Sequence, residues 1–344
     1  MLKGVGNVVG LRGDESNDKE SEINKVNLCD EVKYHPVSGK PIAGSTMSSR
    51  KRAVHCMDDK SLDSTETEHI WGDGDSSLFN LRVGPNYAKT GAKAPSAAPF
   101  YDIVGIDLYQ SENRIVNVGN QVHIPDEWKD IETNHPNVPP VFIIACQMPD
   151  VSHALSGITN FFVDKSEGPG TTVLMYFKIK QDTADKLKAG LDTCSPGLKL
   201  FVDFCKQGHE SKLEYKDPKH PYSGRFKVCP LVRNIDELGL PGFISMYNAK
   251  PALIVLCADL FTGDNYIGID TNIHAFGGLA RSAMQVISFD SMLLNWGFAI
   301  ESREDEEMPE VLFGTCSLDK PNMQMGTNGG LPNWEATLAR TKKT

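Results

Sequence analysis

The runs VFIIACQM at residues 141–148 and VLMYFKI at residues 173–179 decide the fold of this chain. Both are unbroken apolar stretches of strand length, which is typical of strands in the interior of a sheet. The stretch IVGIDLYQ at 103–110 alternates instead, and it places Gly105 and Asp107 on the face opposite its apolar side chains. One face of this strand is therefore predicted to be buried, and the other to be wet or closely packed.

The stretch FGGLARSAMQVISFDSMLLNW at 276–296 is the longest helical candidate in the sequence. Leu279 and Val286 lie on one predicted face of this helix, and Arg281 lies on the other. We therefore predict an α+β fold in which a mostly antiparallel sheet packs against one long helix, with space for a ligand cavity between the layers. Alternatively, the helix fills the core and leaves no cavity. A shorter surface helix is predicted over 183–191.

The chain divides into three parts by composition. Residues 1–70 are rich in Ser, Asp, Glu and Lys and have few periodic apolar positions, which predicts a disordered polar arm. Residues 71–323 carry the apolar strand and helix patterns and are predicted to form one folded domain. Residues 324–344 are predicted to be a flexible C-terminal tail.

Charge and cysteine usage narrow the class of protein. A formal net charge of −10 disfavours nucleic acid as a partner, because nucleic-acid affinity depends on Lys and Arg neutralising phosphates. Several of the eight cysteines lie in apolar runs, which indicates reduced thiols in an intracellular compartment. Since no stretch of 18 uninterrupted apolar residues occurs, we expect no transmembrane segment. We expect a cytoplasmic protein, with peripheral attachment to an internal membrane as an alternative.

Catalytic motifs are absent from the sequence. It contains no GxSxG, P-loop or HExxH pattern, and its nine histidines are scattered. Cys146 and Cys229 have apolar neighbours, which favours buried structural thiols over nucleophiles. We therefore expect no enzyme activity, no cofactor and no metal site; an enzyme that uses Cys229 or a histidine is the disfavoured alternative.

Seven short patterns occur in a fixed order along the predicted domain. They are SLFNLRVGPNY at 77–87, APFYDIVGIDLY at 98–109, VPPVFIIACQMP at 138–149, SGRFKVCPLV at 223–232, YNAKPALI at 247–254, FTGDNYIGIDTNIHAFGGLARSAM at 261–284 and GFAIESREDEEMPEVLFGTCSL at 297–318. Together they resemble the C-terminal domain family of the plant protein Enhanced Disease Resistance 2, which occurs in plants, algae and protists. In plant relatives this domain follows pleckstrin-homology and START lipid-transfer modules. Residues 1–70 are too few and too polar for either, so we expect a stand-alone domain.

Basic and aromatic residues within these patterns are candidates for binding an anionic group such as a phosphorylated lipid head, because Arg and Lys are good anion donors. They are Arg82, Tyr87, Lys93, Arg225, Lys227, Tyr266 and Arg281. Alternatively, Arg82 and Arg281 form ion pairs with Glu301 or its neighbours and stabilise the edge of the core.

The acidic stretch 301–310 is the second candidate site. It lacks the glycines and alternation of a calcium loop, so a solvated or partner-facing loop is favoured, and Glu304, Asp305, Glu306 and Glu307 are the candidate partner-binding residues. Two functional hypotheses follow. The first is a non-catalytic module that binds a lipid or another hydrophobic or amphipathic small molecule at a cavity or membrane surface. The second is a protein-interaction or regulatory module that uses the acidic loop to bind a protein partner.

Overall fold

Strands dominate the part of the chain that the structure describes. The computed structural model describes residues 29–51, 70–150, 167–210, 224–240, 242–255, 257–276, 289–321 and 330–341. The strands are β1 Ile70–Asp73, β2 Asn80–Arg82, β3 Lys93–Pro95, β4 Tyr101–Ser111, β5 Val141–Pro149, β6 Gly170–Ile179, β7 Phe226–Val232, β8 Ala252–Leu253, β9 Ala258–Thr262, β10 Tyr266–Asn272, β11 Leu293–Ile300 and β12 Leu312–Asp319. The α-helices are α1 Tyr87–Thr90, α2 Val118–Gln121, α3 Gln181–Ala189, α4 Pro196–Glu210, α5 Gly242–Ser245 and α6 Trp334–Thr341.

Two five-stranded sheets and one small two-stranded sheet organise these strands. The central sheet has the order β4-β6-β5-β10-β9, and the flanking sheet has the order β1-β12-β11-β7-β8. All pairs are antiparallel except β5 with β10. The small sheet pairs β2 with β3.

The central sheet is buried on both faces. Along β5, Phe142, Ile144 and Cys146 belong to one apolar core, whereas Val141 and Ile143 belong to another. This alternation follows from the two-residue period of a strand, which sends successive side chains to opposite faces. The unbroken apolar runs therefore do mark interior strands, as predicted.

Aromatic rings fill the space between the two five-stranded sheets. The rings of Phe142 and Phe313 have centroids 4.6 Å apart, and those of Phe177 and Phe298 are 5.8 Å apart. Phe201 of α4 closes this core, with its ring 5.3 Å from Phe313. The sheets therefore pack directly against each other, and the ligand cavity predicted between the layers is not observed among the described residues.

The segment 29–51 covers the other face of the central sheet. The buried carboxylate of Asp107 accepts hydrogen bonds from the backbone N–H of Gly44 at 2.7 Å and from the backbone N–H and hydroxyl of Thr46, each at 2.8 Å. Gly105 permits this close approach, because a Cβ at that position would lie only 3.1 Å from the Gly44 Cα and 2.6 Å from the Trp128 ring. The face of β4 that carries Asp107 is thus closely packed.

The prediction of a sheet covered by one long helix over 276–296 is wrong. Residues 293–300 form β11, residues 289–291 form a short 3-10 helix, and residues 277–288 lie outside the described part of the chain. The longest described helix is α4, with 15 residues. The helix prediction failed because a short apolar run is compatible with both a helix and a strand. In the structure, Leu294, Trp296 and Phe298 alternate with the two-residue period of a strand.

Both predicted flexible ends contain ordered structure. Within the predicted arm 1–70, Met47 is fully buried, and the Trp71 indole N–H donates to its carbonyl at 2.7 Å. Within the predicted tail 324–344, Trp334 of α6 is buried and its ring lies 4.9 Å from that of Tyr109. Composition did not indicate these segments, because each contributes only a few apolar side chains to the core.

We expect Phe313→Ala to lower the free energy of unfolding by about 3–5 kcal/mol, because it opens a cavity between two sheets that cannot collapse fully. Urea denaturation monitored by tryptophan fluorescence measures the change. Leu78→Ala is the control, since Leu78 is 40% exposed and its truncation should change stability by no more than about 0.5 kcal/mol. Equal losses for both variants would contradict the proposed role of the aromatic core.

Candidate functional site

A buried ion pair lies where the small sheet, the flanking sheet and the acidic loop meet. The ammonium of Lys227 on β7 lies 2.6 Å from the Glu310 carboxylate, and both side chains are at least 96% buried. Burial lowers the pKa of Lys227, and Glu310 acts against this effect. The Glu310 carboxylate also accepts the backbone N–H of Ser302 at 3.0 Å. The Lys227 ammonium is therefore paired with a buried carboxylate inside the protein.

Two of the three arginines of the predicted anion site, Arg82 and Arg225, are also paired with acids. Arg82 on β2 lies 3.1 Å from Glu301, and its guanidinium lies 5.0 Å from the Tyr87 ring. Arg225 lies 2.9 Å from Glu307. The geometry thus agrees with the alternative interpretation of Arg82, in which it forms an ion pair with Glu301 at the edge of the core. We call these pairs, together with Lys227–Glu310, the charged cluster.

The remaining predicted anion-binding residues do not complete one site. Lys93 is exposed on β3, directly opposite Arg82 in the register of the small sheet. Tyr266 begins β10 in the central sheet and does not belong to the charged cluster. Arg281 lies outside the described residues. The structure therefore brings together Arg82, Tyr87 and Lys93 on one side and separates Tyr266 from them.

The acidic loop is held in place by its own carboxylates. Burial alone would raise the pKa of Glu307, but hydrogen bonds from the Arg303 and Glu304 backbone and from Arg225 outweigh it and lower that pKa. Asp305 accepts the backbone N–H of Asn86 at 2.8 Å. Glu307 is therefore an internal ligand of the cluster, whereas the predicted partner-binding residues Glu304, Asp305 and Glu306 are exposed.

Tyr266 lines a polar cavity of about 490 Å³ that opens to solvent. Its walls come from three separate parts of the chain: residues 38 and 40, residues between 117 and 129, and the turn 262–266 between β9 and β10. The Tyr266 hydroxyl donates to the Asn117 side-chain oxygen at 2.8 Å. A second cavity, of about 350 Å³, lies between residues 29–34 and 330–340. Neither cavity lies between the two five-stranded sheets.

A buried carboxyl group lies behind the wall of the polar cavity. Asp270 of β10 accepts the backbone N–H of Asn117 at 2.7 Å and is 2% exposed. Burial raises the pKa of Asp270 to about 7, although the Asn117 hydrogen bond and Arg114 act in the opposite direction. Asn117 thus contacts both Asp270 and Tyr266, so it connects a titratable group to the cavity.

The environments of Cys146 and Cys229 do not suit nucleophilic chemistry. Burial raises the pKa of Cys146 and of Cys229 to about 12 each. A nucleophilic cysteine needs the opposite shift, because the thiolate is the reactive form. Within the described ranges, no group of three or more His, Cys, Asp and Glu side chains is arranged to hold a metal ion. The same residues contain no helix with the length and hydropathy needed to cross a membrane.

An exposed apolar surface lies at one edge of the flanking sheet. Met246 and Tyr247 are 63% and 61% exposed, and Leu253 and Val255 are 39% and 42% exposed. Leu253 belongs to β8, the edge strand next to β7. We call these four residues the apolar edge. Exposed apolar side chains near a sheet edge are candidates for protein or membrane interaction.

Sequence reasoning overlooked both the apolar edge and the polar cavity. A signal for the edge was present, because residues 238–257 contain only one charged residue, Lys250. No comparable signal marked the cavity, since Lys40, Asn117 and Tyr266 are far apart in the sequence and come together only in the fold.

Comparison with known protein families adds one finding. The family model described as Protein ENHANCED DISEASE RESISTANCE 2, C-terminal, matches residues 71–322, so the resemblance read from the seven patterns is confirmed. No curated protein and no solved structure matches the chain.

We expect Lys227→Met to lower the free energy of unfolding by about 3–5 kcal/mol, because it leaves the Glu310 carboxylate buried without its cation. Chemical denaturation measures the loss. Lys186→Met is the matched control: the ion pair of Lys186 with Asp182 is exposed and should contribute no more than about 1 kcal/mol. A loss below that size for Lys227→Met would show that the buried pair does not stabilise the fold.

Asp270 should make stability depend on pH. Its native pKa of about 7 lies above the value of about 3.9 expected in the unfolded chain. The native state therefore holds a proton that the unfolded state has lost, and this stabilising contribution falls as pH rises from about 4 through about 7. Unfolding free energies of the wild type and of Asp270→Asn, measured by urea denaturation at several pH values, should differ most in slope within this window. Parallel curves would contradict the raised pKa.

Proposed function

The chain belongs to the family of the Enhanced Disease Resistance 2 C-terminal domain, and we propose that it is a non-catalytic module that binds lipid at a membrane surface through its apolar edge. The observation that carries the proposal is the exposure of Met246 and Tyr247 in a stretch with one charged residue. The raised pKa values of the buried cysteines support a role without nucleophilic catalysis.

The composition of the apolar edge suits a lipid surface. Met246, Leu253 and Val255 offer apolar side chains, and Tyr247 has an amphipathic ring of the kind found at the interface between membrane and water. The Lys250 ammonium lies 6.0 Å from the Tyr247 ring, so it can remain at the level of the head groups while the ring inserts. No acidic residue occurs in 238–257 to oppose insertion.

The local strand geometry favours lipid over an extended peptide. Peptides that bind a sheet edge add a strand through a row of backbone hydrogen bonds. Here β8 has only two residues, which pair with Lys227 and Val228 of β7. So short an edge strand offers few backbone groups to a peptide, whereas its exposed side chains remain available to an apolar phase.

The charge of the whole chain indicates which lipids suit this surface. A net charge of −10 opposes approach to a strongly anionic membrane. The apolar edge contributes through the hydrophobic effect, which ordinary salt concentrations weaken little. Binding to uncharged or zwitterionic lipid should therefore persist when the salt concentration is raised.

We expect the chain to float with phosphatidylcholine vesicles in a density gradient, and Met246→Glu/Tyr247→Glu to weaken this binding by at least about ten-fold. Each apolar side chain removed from the bilayer interface costs about 1–2 kcal/mol. The matched control is Val37→Glu/Val116→Glu, since Val37 and Val116 are exposed apolar residues outside the apolar edge. It adds the same charge and should leave vesicle binding within about two-fold of the wild type.

Absence of vesicle binding by the wild type, or equal losses in the two double variants, would overturn the lipid proposal. That result would favour the second function, a protein-interaction module. Its surface would be the acidic loop, in which Glu304, Asp305 and Glu306 are exposed while Arg225 holds Glu307 in place.

A further inference from the structure

The polar cavity beside Tyr266 combines cationic and amide groups from three chain segments. We propose that it binds a phosphate monoester of a small polyol, with one phosphate group at its cationic wall. This site lies on the central sheet and is separate from the apolar edge, which belongs to the flanking sheet. The proposal therefore goes beyond lipid docking and does not depend on it.

The cationic wall is formed by Lys40, Lys129 and His123. The Lys40 ammonium donates to the Asn120 carbonyl at 2.7 Å, so its hydrogen bond goes to a neutral acceptor. The Lys129 ammonium lies 2.7 Å from Asp126, whose side chain is 89% exposed and outside the cavity lining. Two ammonium groups beside an imidazole can together bind a phosphate, as charge-assisted hydrogen bonds are strongest for such oxyanions.

A stacked pair of histidines lies at this wall. The rings of His35 and His123 have centroids 3.7 Å apart and are nearly parallel. Burial lowers the pKa of His123, and His35, Lys129 and Lys40 lower it further, while Asp126 acts in the opposite direction. A bound phosphate would favour the protonated imidazole.

The rest of the cavity suits a hydroxylated body. The residues that line it also include Asn117, Asn120, Asn265, Ser38 and Thr262. Amide and hydroxyl groups such as these donate and accept hydrogen bonds with alcohols. The cavity volume of about 490 Å³ exceeds the space that an inorganic phosphate needs, so the phosphate should carry a polar substituent.

Asp264 limits the ligand to a single phosphate. This carboxylate lines the cavity together with the other residues of the turn between β9 and β10. It can accept hydrogen bonds from ligand hydroxyls but repels a second phosphate. A monophosphate should therefore bind more tightly than the corresponding bisphosphate.

The segment that completes the site precedes the region matched by the family model. His35, Ser38 and Lys40 lie in residues 29–51, whereas the family match covers 71–322. Asp107 fixes this segment to the central sheet through Gly44 and Thr46. The cationic wall thus depends on residues of this chain that lie outside the family domain.

Isothermal titration calorimetry of the full chain with inorganic phosphate, glycerol 1-phosphate and glycerol tests the proposal. We expect the ester to bind more tightly than phosphate and glycerol not to bind. Lys40→Gln and Lys129→Gln should each weaken ester binding about ten-fold, as expected for loss of a charge-assisted contact. Lys188→Gln, an exposed lysine on α3, is the matched control and should change affinity by less than about two-fold.

The Asp264→Asn variant tests the proposal through a gain of affinity, which misfolding of the variant cannot produce. Removal of the carboxylate should strengthen binding of inorganic phosphate several-fold, because it removes a like charge from the cavity. Absence of ester binding, equal affinity for glycerol and its phosphate, or unchanged affinity in both Lys40→Gln and Lys129→Gln would overturn the proposal.

Vesicles identify the source of the phosphate. Phosphatidic acid in phosphatidylcholine vesicles presents a phosphate monoester on a lipid. If Lys40→Gln weakens binding to these vesicles but not to pure phosphatidylcholine, the natural ligand class includes a lipid head group; if it weakens only glycerol 1-phosphate binding, the ligand is soluble. Met246→Glu/Tyr247→Glu should bind soluble glycerol 1-phosphate as the wild type does. The phosphate proposal can therefore be tested even if the lipid proposal fails.

Discussion

The side chains of β5 and β6 alternate between two apolar cores, so the central sheet needs a covering layer on each face. The flanking sheet supplies one layer through the contact of Phe142 with Phe313. Residues 29–51 and α6 contribute to the other, through Ala43 and Trp334. Without both layers, large apolar surfaces of β5 and β6 would remain in water, at a cost of about 25 cal/mol for each Å². The rest of the architecture follows from this requirement.

Polar groups in the interior fix how these layers are placed. Asp107 holds the N-terminal segment on the central sheet, since a buried carboxylate needs the donors that Gly44 and Thr46 provide. The charged cluster holds the acidic loop against β7 through Lys227 and Glu310 in the same way. Arg82, Arg225 and Lys227, which lie within the family patterns, are paired with the acids Glu301, Glu307 and Glu310 of the last pattern, and these pairs give them a structural role.

The two proposed binding surfaces lie at sheet edges. The apolar edge extends from β8, where the flanking sheet ends, and the polar cavity lies beside the turn between β9 and β10, where the central sheet ends. Edges are suitable because their backbone and side chains are not covered by another strand. The two surfaces differ in chemistry: the first contains one charge in twenty residues, at Lys250, whereas Lys40, His123 and Lys129 line the second.

The sequence by itself determined the interior strands, the family and the reduced state expected of the cysteines, because each depends on local composition or on the order of patterns. A helix predicted over 183–191 is observed as α3 at Gln181–Ala189 for the same reason. Only the tertiary structure decided that Leu293–Ile300 is a strand, that Arg82 and Lys227 are paired with acids, and that Lys40 lies with Tyr266 at one cavity. These outcomes depend on which distant segments become neighbours. Burial between two sheets overrides local helix preference, and the charges of Arg82 and Lys227 are neutralised by acids that lie 219 and 83 positions away in the sequence.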